Sequence, residues 1–419
     1  MNLINEYRTD KKSLLLIFVV FILARTVFMI LMPNTYSLDL IGYLEVVDVF
    51  QKGGNPYRDT YYLNYWPPFW MQILYCISVT SKVSSISPTL LLLLLLIFIE
   101  WINILLCFKI LKRFFNKQKF TTFFIFTMAL NPISILLTCQ HCNFDFILSF
   151  WVLLFCIGLM DFHLNHSIVS WLMACFFLGM GILTKTIPII LMPLLFAGIR
   201  NNNIATKLFG FLLLFSPVII GMSILIALEP HVVKDTLTYR SFPGWYGITG
   251  IFNLMDEIHL INLYQKASPV IIISLVGYTS WRSYNINKLT ISQIIIFSFL
   301  FLLFIPTFGP GYGPQYISWY LPLAVILYAI STENIKKILK IGYFIIALDY
   351  LIEYAFFITH GAFITKMIPT EQILSLSSFL TTQKIQVLIR LPMFLFYIFL
   401  FFSLLKSVKI SETSQKFSS

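Results

Sequence analysis

The chain has 419 residues, of which 58% are hydrophobic and only 11% are charged, and its mean hydropathy is +0.84. Soluble domains carry about a quarter charged residues, so this composition excludes a soluble enzyme and indicates a protein with many membrane spans. The formal net charge of +11 does not indicate a nucleic-acid partner. Basic residues cluster between apolar segments, where the positive-inside rule and anionic lipid account for them.

The first apolar segment, residues 13–32, follows a basic N-terminal stretch. It is too long for a cleaved signal peptide and no small-residue cleavage site follows it, so we predict a retained span with a cytoplasmic N-terminus. Residues 33–87 are then exterior. Within them the apolar stretch 67–80 is too short to cross a hydrocarbon core of ~30 Å and is predicted to be an interfacial helix.

Apolar segments of similar length recur along the rest of the chain. At roughly 20 residues for each span, they predict one all-α integral-membrane domain over residues 1–419 with about 12 transmembrane helices, in a range of roughly 10 to 13. Both termini are expected in the cytoplasm, because most Lys and Arg residues then lie in cytoplasmic segments. The later predicted spans are 88–108, 121–137, 144–160, 167–183, 186–199, 208–228, 268–281, 289–305, 320–332, 341–360 and 385–406.

Polar and acidic residues concentrate in the segments that this topology places outside the membrane. Polar chain of this kind cannot lie in lipid with unsatisfied backbone groups. We therefore expect the function on the exterior face. The larger exterior loops are 33–87, 229–267, 306–319 and 361–384, with a shorter loop from Asn131 to Asp145.

The first exterior loop combines a carboxylate with aromatic and turn residues. Asp39 is followed four positions later by Tyr43, then by Gly54-Asn55-Pro56-Tyr57 and an aromatic run that includes Tyr65 and Trp66. This pattern resembles the first luminal loop of the GT-C glycosyltransferases, which are integral-membrane enzymes that take sugar from a polyprenyl phosphate. Within that superfamily it is most similar to GPI mannosyltransferase I and the prokaryotic polyprenol-phosphate mannosyltransferases.

Three later motifs extend the resemblance in the same order along the chain. Thr184-Lys185-Thr186-Ile187-Pro188 resembles the Lys-x-x-Pro step of that group, and Gln315-Tyr316 with Trp319 resembles its Gln-Tyr-x-x-Trp motif. The loop from Gln140-His141 to Phe144 is similar to the His-x-x-Phe loop of the glucosyltransferase branch. The resemblance covers about two-thirds of the chain, as a set of ordered motifs that are individually short.

The resemblance implies an inverting transfer of a hexose, mannose in particular, from a polyprenyl-phosphate sugar to a glycan or glycolipid acceptor. Such a reaction needs a base near the acceptor hydroxyl and a cation near the leaving phosphate. Asp39 is the candidate general base, and Lys185 is the strongest candidate cation, with Arg240 a weaker one. Aromatic and neutral polar side chains can hold the sugar. The candidate substrate-binding residues are Tyr43, Tyr57, Arg58, Tyr65, His141, Asp145, Lys185, Gln315, Tyr316 and Trp319.

Each of these residues also has a structural explanation. Trp and Tyr gather at the interfaces of any polytopic protein. Asp39 could cap the helix that follows it, Lys185 could extend its charge to the membrane surface, and His141 could be an ordinary loop hydrogen-bonding residue.

No metal or cofactor is expected. Relatives often carry a second acidic residue two positions before the catalytic aspartate, where this chain has Ser37. Cys139 and Cys142 are separated by two residues but lack a second cysteine pair, so a zinc or disulfide framework is not indicated.

Two other classes of function remain open. A secondary transporter or lipid-linked glycan flippase of about 12 spans would place its site at the membrane midplane. Asp349 and Glu353 would form its relay, unless Arg25 or Arg390 simply pairs with one of them. An O-antigen ligase or polymerase would use an Arg/His-centred loop instead of Asp39. The expected location is the plasma membrane in a prokaryote or the endoplasmic reticulum in a eukaryote.

Overall fold

The computed structural model describes ten stretches of the chain. Among the sequence predictions, Tyr65, Arg240, Glu353 and the loop 361–384 as far as residue 381 lie outside them. The described residues are 2–31, 37–60, 66–115, 125–199, 203–230, 232–233, 243–285, 289–311, 313–352 and 382–416.

Helices make up nearly all of the described chain. The α-helices of the first half are α1 (Asn2–Leu31), α2 (Leu38–Gln51), α3 (Pro56–Asp59), α4 (Pro68–Ser84), α5 (Pro88–Phe115), α6 (Pro132–Ile135), α7 (Asp145–Asn165), α8 (Ile168–Thr184) and α9 (Met192–Gly198). Those of the second half are α10 (Ile204–Leu228), α11 (Gly247–Leu254), α12 (Ile258–Asn285), α13 (Ile291–Phe308), α14 (Ile317–Ile330), α15 (Glu333–Ile352) and α16 (Gln383–Lys416). Two π-helical turns (Ile125–Ala129 and Leu136–Gln140) and two 3₁₀ turns (Ile187–Leu191 and Pro314–Tyr316) complete the described helical elements.

Seven stretches of described helix are long and apolar enough to cross a membrane, and three shorter helices are also apolar. The long ones are Lys12–Leu31, Pro88–Phe115, Asp145–Asn165, Ile204–Ala227, Ile258–Trp281, Ile291–Phe308 and Gln383–Lys406; the shorter ones are Ile168–Thr184, Ile187–Phe196 and Ile317–Ile330. A membrane-embedded, all-α protein is thereby confirmed. The total of about 12 spans stays a prediction.

Two segments differ from the sequence prediction. The predicted span 121–137 is not one helix over its described part, because Asn131 and Pro132 begin a new helix between the two π-helical turns. The Asn131 side chain accepts hydrogen bonds from the backbone of that new helix, and Pro132 occupies its first position, where a missing N–H costs nothing. The predicted loop 229–267 is also shorter than expected, since α12 already begins at Ile258.

The stretch predicted as an interfacial helix forms α4. Its partner α2 packs beside it, and together they cover the first turns of α5 and α7 through a separate apolar cluster. The members of this cluster include Leu40, Tyr43, Val47, Trp70, Met71, Leu74, Leu92, Cys142 and Phe144. The first turn of α2 is therefore fixed against the loop that precedes α7.

Small residues allow close contact between helices in the main core. A Cβ atom at Gly179 of α8 would lie 2.1 Å from the carbonyl oxygen of Leu214 in α10, and one at Gly210 would lie 2.0 Å from the Trp171 ring. Close backbone approach through small residues is the usual basis of helix packing in membranes. These glycines set the spacing of α8 and α10.

Helices α5, α7 and α14 run side by side in one direction. The Asn103 side chain donates to the Phe146 carbonyl at 2.9 Å, the Ser149 hydroxyl donates to the Ser318 carbonyl, and Arg113 pairs with Asp161 at 2.7 Å. The beginnings of α7 and α14 therefore share one end of the bundle, which we call the site face. The Arg113–Asp161 pair marks the other end, which we call the opposite face.

An ion pair lies fully buried in the bundle. Arg25 of α1 pairs with Glu100 of α5, with a 2.9 Å bond from Nε to Oε2. The Ala129 carbonyl, the Ser134 hydroxyl and the Thr138 hydroxyl satisfy the remaining atoms of the pair. Burying two charges is costly unless they are paired and hydrogen-bonded, and this network meets both conditions. Arg25 therefore does not pair with Asp349, because the packing of α1 places it against α5. The alternative pairing through Arg390 stays a prediction.

Candidate functional site

The candidate site begins at the first turn of α2. Ser37 is the N-cap of this helix, and its hydroxyl oxygen accepts a hydrogen bond from the Leu40 N–H at 3.1 Å. The same hydroxyl donates to the His141 carbonyl at 2.6 Å. Ser37, two positions before Asp39, thus joins the start of α2 to the loop before α7.

Asp39 is not the capping residue of α2. Its carboxylate points to the His141–Asn143 loop, where Oδ2 lies 2.9 Å from His141 Nε2 and accepts a 3.0 Å hydrogen bond from the Asn143 amide. The Asp39 side chain is 33% exposed, whereas that of His141 is only 8% exposed. The carboxylate is therefore held from one side and open on the other.

The environment of Asp39 favours its charged form. Burial alone would raise the pKa of this carboxyl, but the charge and hydrogen bond of His141, the Asn143 amide and the Lys185 charge outweigh it and hold the pKa below its ordinary value of 3.8. Hydrogen bonds to a carboxylate and nearby positive charge both stabilise the ionised state. Asp39 is thus an anion at neutral pH.

Asn143 connects Asp39 to the start of α7. Its Nδ2 donates to Asp39, while its Oδ1 accepts a 2.8 Å hydrogen bond from the backbone N–H of Asp145. Cys142 just before it has a φ of +55°, a left-handed conformation that is uncommon for a residue with a side chain. Sequence reasoning missed the role of Asn143. Its position two residues before a helix was the available signal, since Asn favours such sites.

A second charged pair lies beside Asp39. Lys185 Nζ lies 2.9 Å and 3.1 Å from the two carboxylate oxygens of Asp145. Asp145 is fully buried, and the Lys185 side chain is 19% exposed. Asp145 is thus the counterion of Lys185. The sequence predicts only a general substrate contact for Asp145.

Three aromatic rings surround the Lys185 ammonium group. Nζ lies 4.9 Å from the ring centroid of Trp319, 5.4 Å from that of Tyr316 and 5.6 Å from that of Phe144. A cation over an aromatic face is attracted by the ring quadrupole. The ion pair and the rings fix the charge of Lys185 at one place, so the hypothesis of a freely extended surface lysine does not describe it.

The chain geometry explains how these distant residues meet. Helix α8 ends at Thr184, and Lys185 follows in an extended conformation with φ −160° and ψ 137°. The 3₁₀ turn Pro314–Tyr316 leads directly into α14, and the Tyr316 and Trp319 rings stack at 4.1 Å. Gln315 lies half-buried in that turn.

The Tyr43 side chain belongs to the apolar core rather than to an open surface. Its ring is fully buried and lies 4.7 Å from Trp66, 5.0 Å from Trp70 and 6.3 Å from Phe144 by ring centroids. Because the Tyr43 ring is fully buried, it has no exposed face on which a sugar could stack. The ring instead supports the helix turn that carries Asp39.

Tyr57 and Arg58 lie in a separate part of the first loop. The Tyr57 hydroxyl donates to the Trp66 carbonyl at 3.3 Å. Arg58 is 68% exposed, and its Nε lies 3.6 Å from Glu229, which also accepts a hydrogen bond from Asn55. This group of contacts ties the first loop to the end of α10 and places the end of α10 at the site face.

The site therefore unites Asp39, His141, Asp145, Lys185, Tyr316 and Trp319 out of the sequence-based candidates, and adds Ser37, Asn143 and Phe144. No group of three or more His, Cys, Asp or Glu residues within the described ranges is arranged to hold a metal ion. The arrangement offers an oriented, accessible carboxylate beside a fixed cation. Such a pair can accept a proton from a hydroxyl and stabilise an anionic leaving group.

Comparison with known proteins gives no relative, since no family model, no curated protein sequence and no solved structure matches the chain.

Proposed function

We propose that the protein is a GT-C-type glycosyltransferase that moves a hexose, mannose in particular, from a polyprenyl-phosphate donor to a glycan or glycolipid acceptor. The single observation that carries the proposal is the accessible Asp39 carboxylate, oriented by His141 and Asn143 and accompanied by the cation Lys185. The ordered sequence motifs described above support the same class of reaction.

The proposed chemistry is a direct displacement with inversion at the anomeric carbon. The acceptor hydroxyl loses its proton to Asp39 as its oxygen forms a bond to the anomeric carbon. The bond from that carbon to the phosphate oxygen breaks at the same time, and the polyprenyl phosphate leaves with the electron pair. General base catalysis of this kind contributes about 10²–10⁴-fold. A carboxylate with a lowered pKa is a weak base, so its contribution comes from its fixed position.

Lys185 would stabilise the charge that develops on the leaving phosphate. An ammonium group has three donors, and Asp145 occupies one side of it at 2.9 and 3.1 Å. The 19% exposure of Lys185 leaves a side from which a phosphate oxygen can approach. Since Asp145 compensates the lysine charge at rest, the pair adds little net charge before the donor binds.

The proposed setting is a multi-pass membrane enzyme whose site face is exterior or luminal and whose termini are cytoplasmic. The distribution of Lys and Arg along the chain supports this orientation. The membrane would be the plasma membrane in a prokaryote and the endoplasmic reticulum in a eukaryote.

The test uses purified protein in liposomes with a panel of labelled polyprenyl-phosphate hexoses and a lipid extract as the acceptor source. We expect the label to move from at least one donor to a product or to water. Lys185→Met should slow this step strongly, while Lys384→Met, which removes an exposed lysine paired with Asp256, should not. Absence of transfer and hydrolysis from every donor would contradict the proposal.

A further inference from the structure

A cavity of about 220 Å³ lies between α14, α15 and α16. One face of α14 lines it, through residues that include Tyr320, Ala324 and Tyr328, and α15 contributes Lys340 and Tyr343. Almost all of the remaining lining is apolar. This cavity lies on the side of α14 away from the Lys185 aromatic group and takes no part in the candidate site.

Two hydrogen-bonded tyrosines line the cavity on the side nearer the site face. The Tyr320 hydroxyl donates to the Tyr397 hydroxyl at 2.5 Å, and both side chains are buried. Tyr320 directly follows Trp319 on α14, so this part of the cavity lies at the level of the candidate site. The rest of the cavity extends along α14 for eight residues to Tyr328, about 12 Å at 1.5 Å per residue, toward the opposite face.

The charge lies at the far end of the cavity. Lys340 is the one charged residue among the described residues that line it, and its Nζ lies 5.8 Å from the Tyr328 ring centroid. Lys336 and Lys337 precede it on the first turns of α15. Glu333 pairs with Lys336 at 2.7 Å, which leaves this end of α15 with an excess of positive charge.

We propose that this cavity binds one anionic phospholipid from the leaflet on the opposite face. Its phosphate lies against Lys337 and Lys340, and one acyl chain enters the cavity between α14 and α16. Charge complementarity sets the direction, because the only charged side chain among the described lining residues, Lys340, lies at the end of the cavity nearer the opposite face. A polyprenyl-phosphate donor would instead need its phosphate near Lys185. The inference is therefore independent of the proposed transferase activity.

The two lysines should make a measurable electrostatic contribution to the affinity for the lipid. A basic residue near an anionic membrane surface contributes a factor of about five in affinity. Lys337→Gln with Lys340→Gln should therefore weaken binding of the anionic lipid by about 25-fold. The substitution Ala324→Phe should fill the cavity and remove the space for the acyl chain, while leaving both lysines in place.

The experiment measures thermal unfolding of the full-length protein in detergent during titration with phosphatidylglycerol or with phosphatidylcholine of the same chains. A ligand that binds only the folded state raises the unfolding temperature in a saturable way. We expect saturable stabilisation by phosphatidylglycerol alone, weakened about 25-fold in the double lysine variant and lost in Ala324→Phe. The control is Lys52→Gln with Lys384→Gln, which removes two exposed lysines elsewhere and should titrate like the wild type.

Equal stabilisation by the two lipids would overturn the proposal, and so would an unchanged midpoint in the double lysine variant. A third titration uses undecaprenyl phosphate. If that lipid stabilises the protein through Lys340 and phosphatidylglycerol does not, the cavity is a polyprenyl site and the proposal is wrong. The lysine variants keep the test decisive if Ala324→Phe does not fold.

Discussion

Among single residues, Asn143 joins the two parts of the site that the chain supplies separately. It is buried and holds Asp39 with its amide nitrogen and the Asp145 backbone with its oxygen. Its two bonds join the carboxylate of one helix to the start of another. The His141 ring and the Ser37 hydroxyl complete the same connection from either side.

Asn143→Ala should therefore lower both stability and transfer activity. Two hydrogen bonds are lost, each contributing about 0.5–1.5 kcal/mol, so we expect a loss of about 1–3 kcal/mol in unfolding free energy. Loss of the amide donor also raises the pKa of Asp39 toward its ordinary value. The measurements are thermal unfolding and donor turnover.

Asn203→Ala is the matched control for this change. Asn203 caps α10 with a 2.8 Å hydrogen bond from Thr206 and is exposed. It should lose a comparable capping bond with no change in turnover per folded molecule. Equal turnover losses in the two variants would refute a specific positioning role for Asn143.

The lowered pKa of Asp39 also predicts how stability depends on pH. A carboxyl whose pKa is lower in the folded state stabilises the fold above its unfolded-state pKa, and this contribution is lost as pH falls through the folded-state pKa. We expect the unfolding temperature to fall on acidification below about pH 4, and Asp39→Asn to flatten this slope. An identical slope in wild type and variant would contradict the environment described for Asp39. Unfolding scans across that pH range measure it.

At the scale of helices, contact between α8 and α10 depends on small residues. Gly179→Ala should strongly destabilise the protein, because the added Cβ would lie 2.1 Å from the Leu214 carbonyl oxygen and would force the helices apart. Gly277→Ala in α12 is the matched control, because no atom lies within 4 Å of its Cβ position. The control should be neutral or stabilising, by up to about 1 kcal/mol. Unfolding temperatures in detergent would measure both, and equal effects would refute close packing at Gly179.

Helical periodicity and hydropathy predicted most of the long apolar helices, because each depends on local composition. Hydropathy did not predict the structure of segment 121–137, because Asn131 and Pro132 start a new helix inside an apolar stretch. The Arg25–Glu100 pair also could not be predicted from local pattern. Its members are 75 residues apart, and their meeting depends on how α1 packs against α5.

Across the whole molecule, some site residues could be identified from local sequence, whereas the position of others depends on how distant helices pack. Residue type and motif order identified Asp39, His141, Lys185 and Trp319, which the fold brings together. Sequence patterns could not show that Tyr43 is buried or that Arg58 contacts Glu229 at the surface. Those outcomes depend on how α2, α4 and α10 assemble around the site face.

The central claim is that Asp39 acts as the base in glycosyl transfer. The most direct measurement is transfer of labelled hexose from a polyprenyl-phosphate donor in membranes that contain wild type, Asp39→Asn or Asp48→Asn at equal expression. Asp48 lies on the same helix but is exposed and paired with Lys52. We predict a loss of about 10²-fold or more in Asp39→Asn and wild-type transfer in Asp48→Asn. Full transfer by Asp39→Asn would contradict the account.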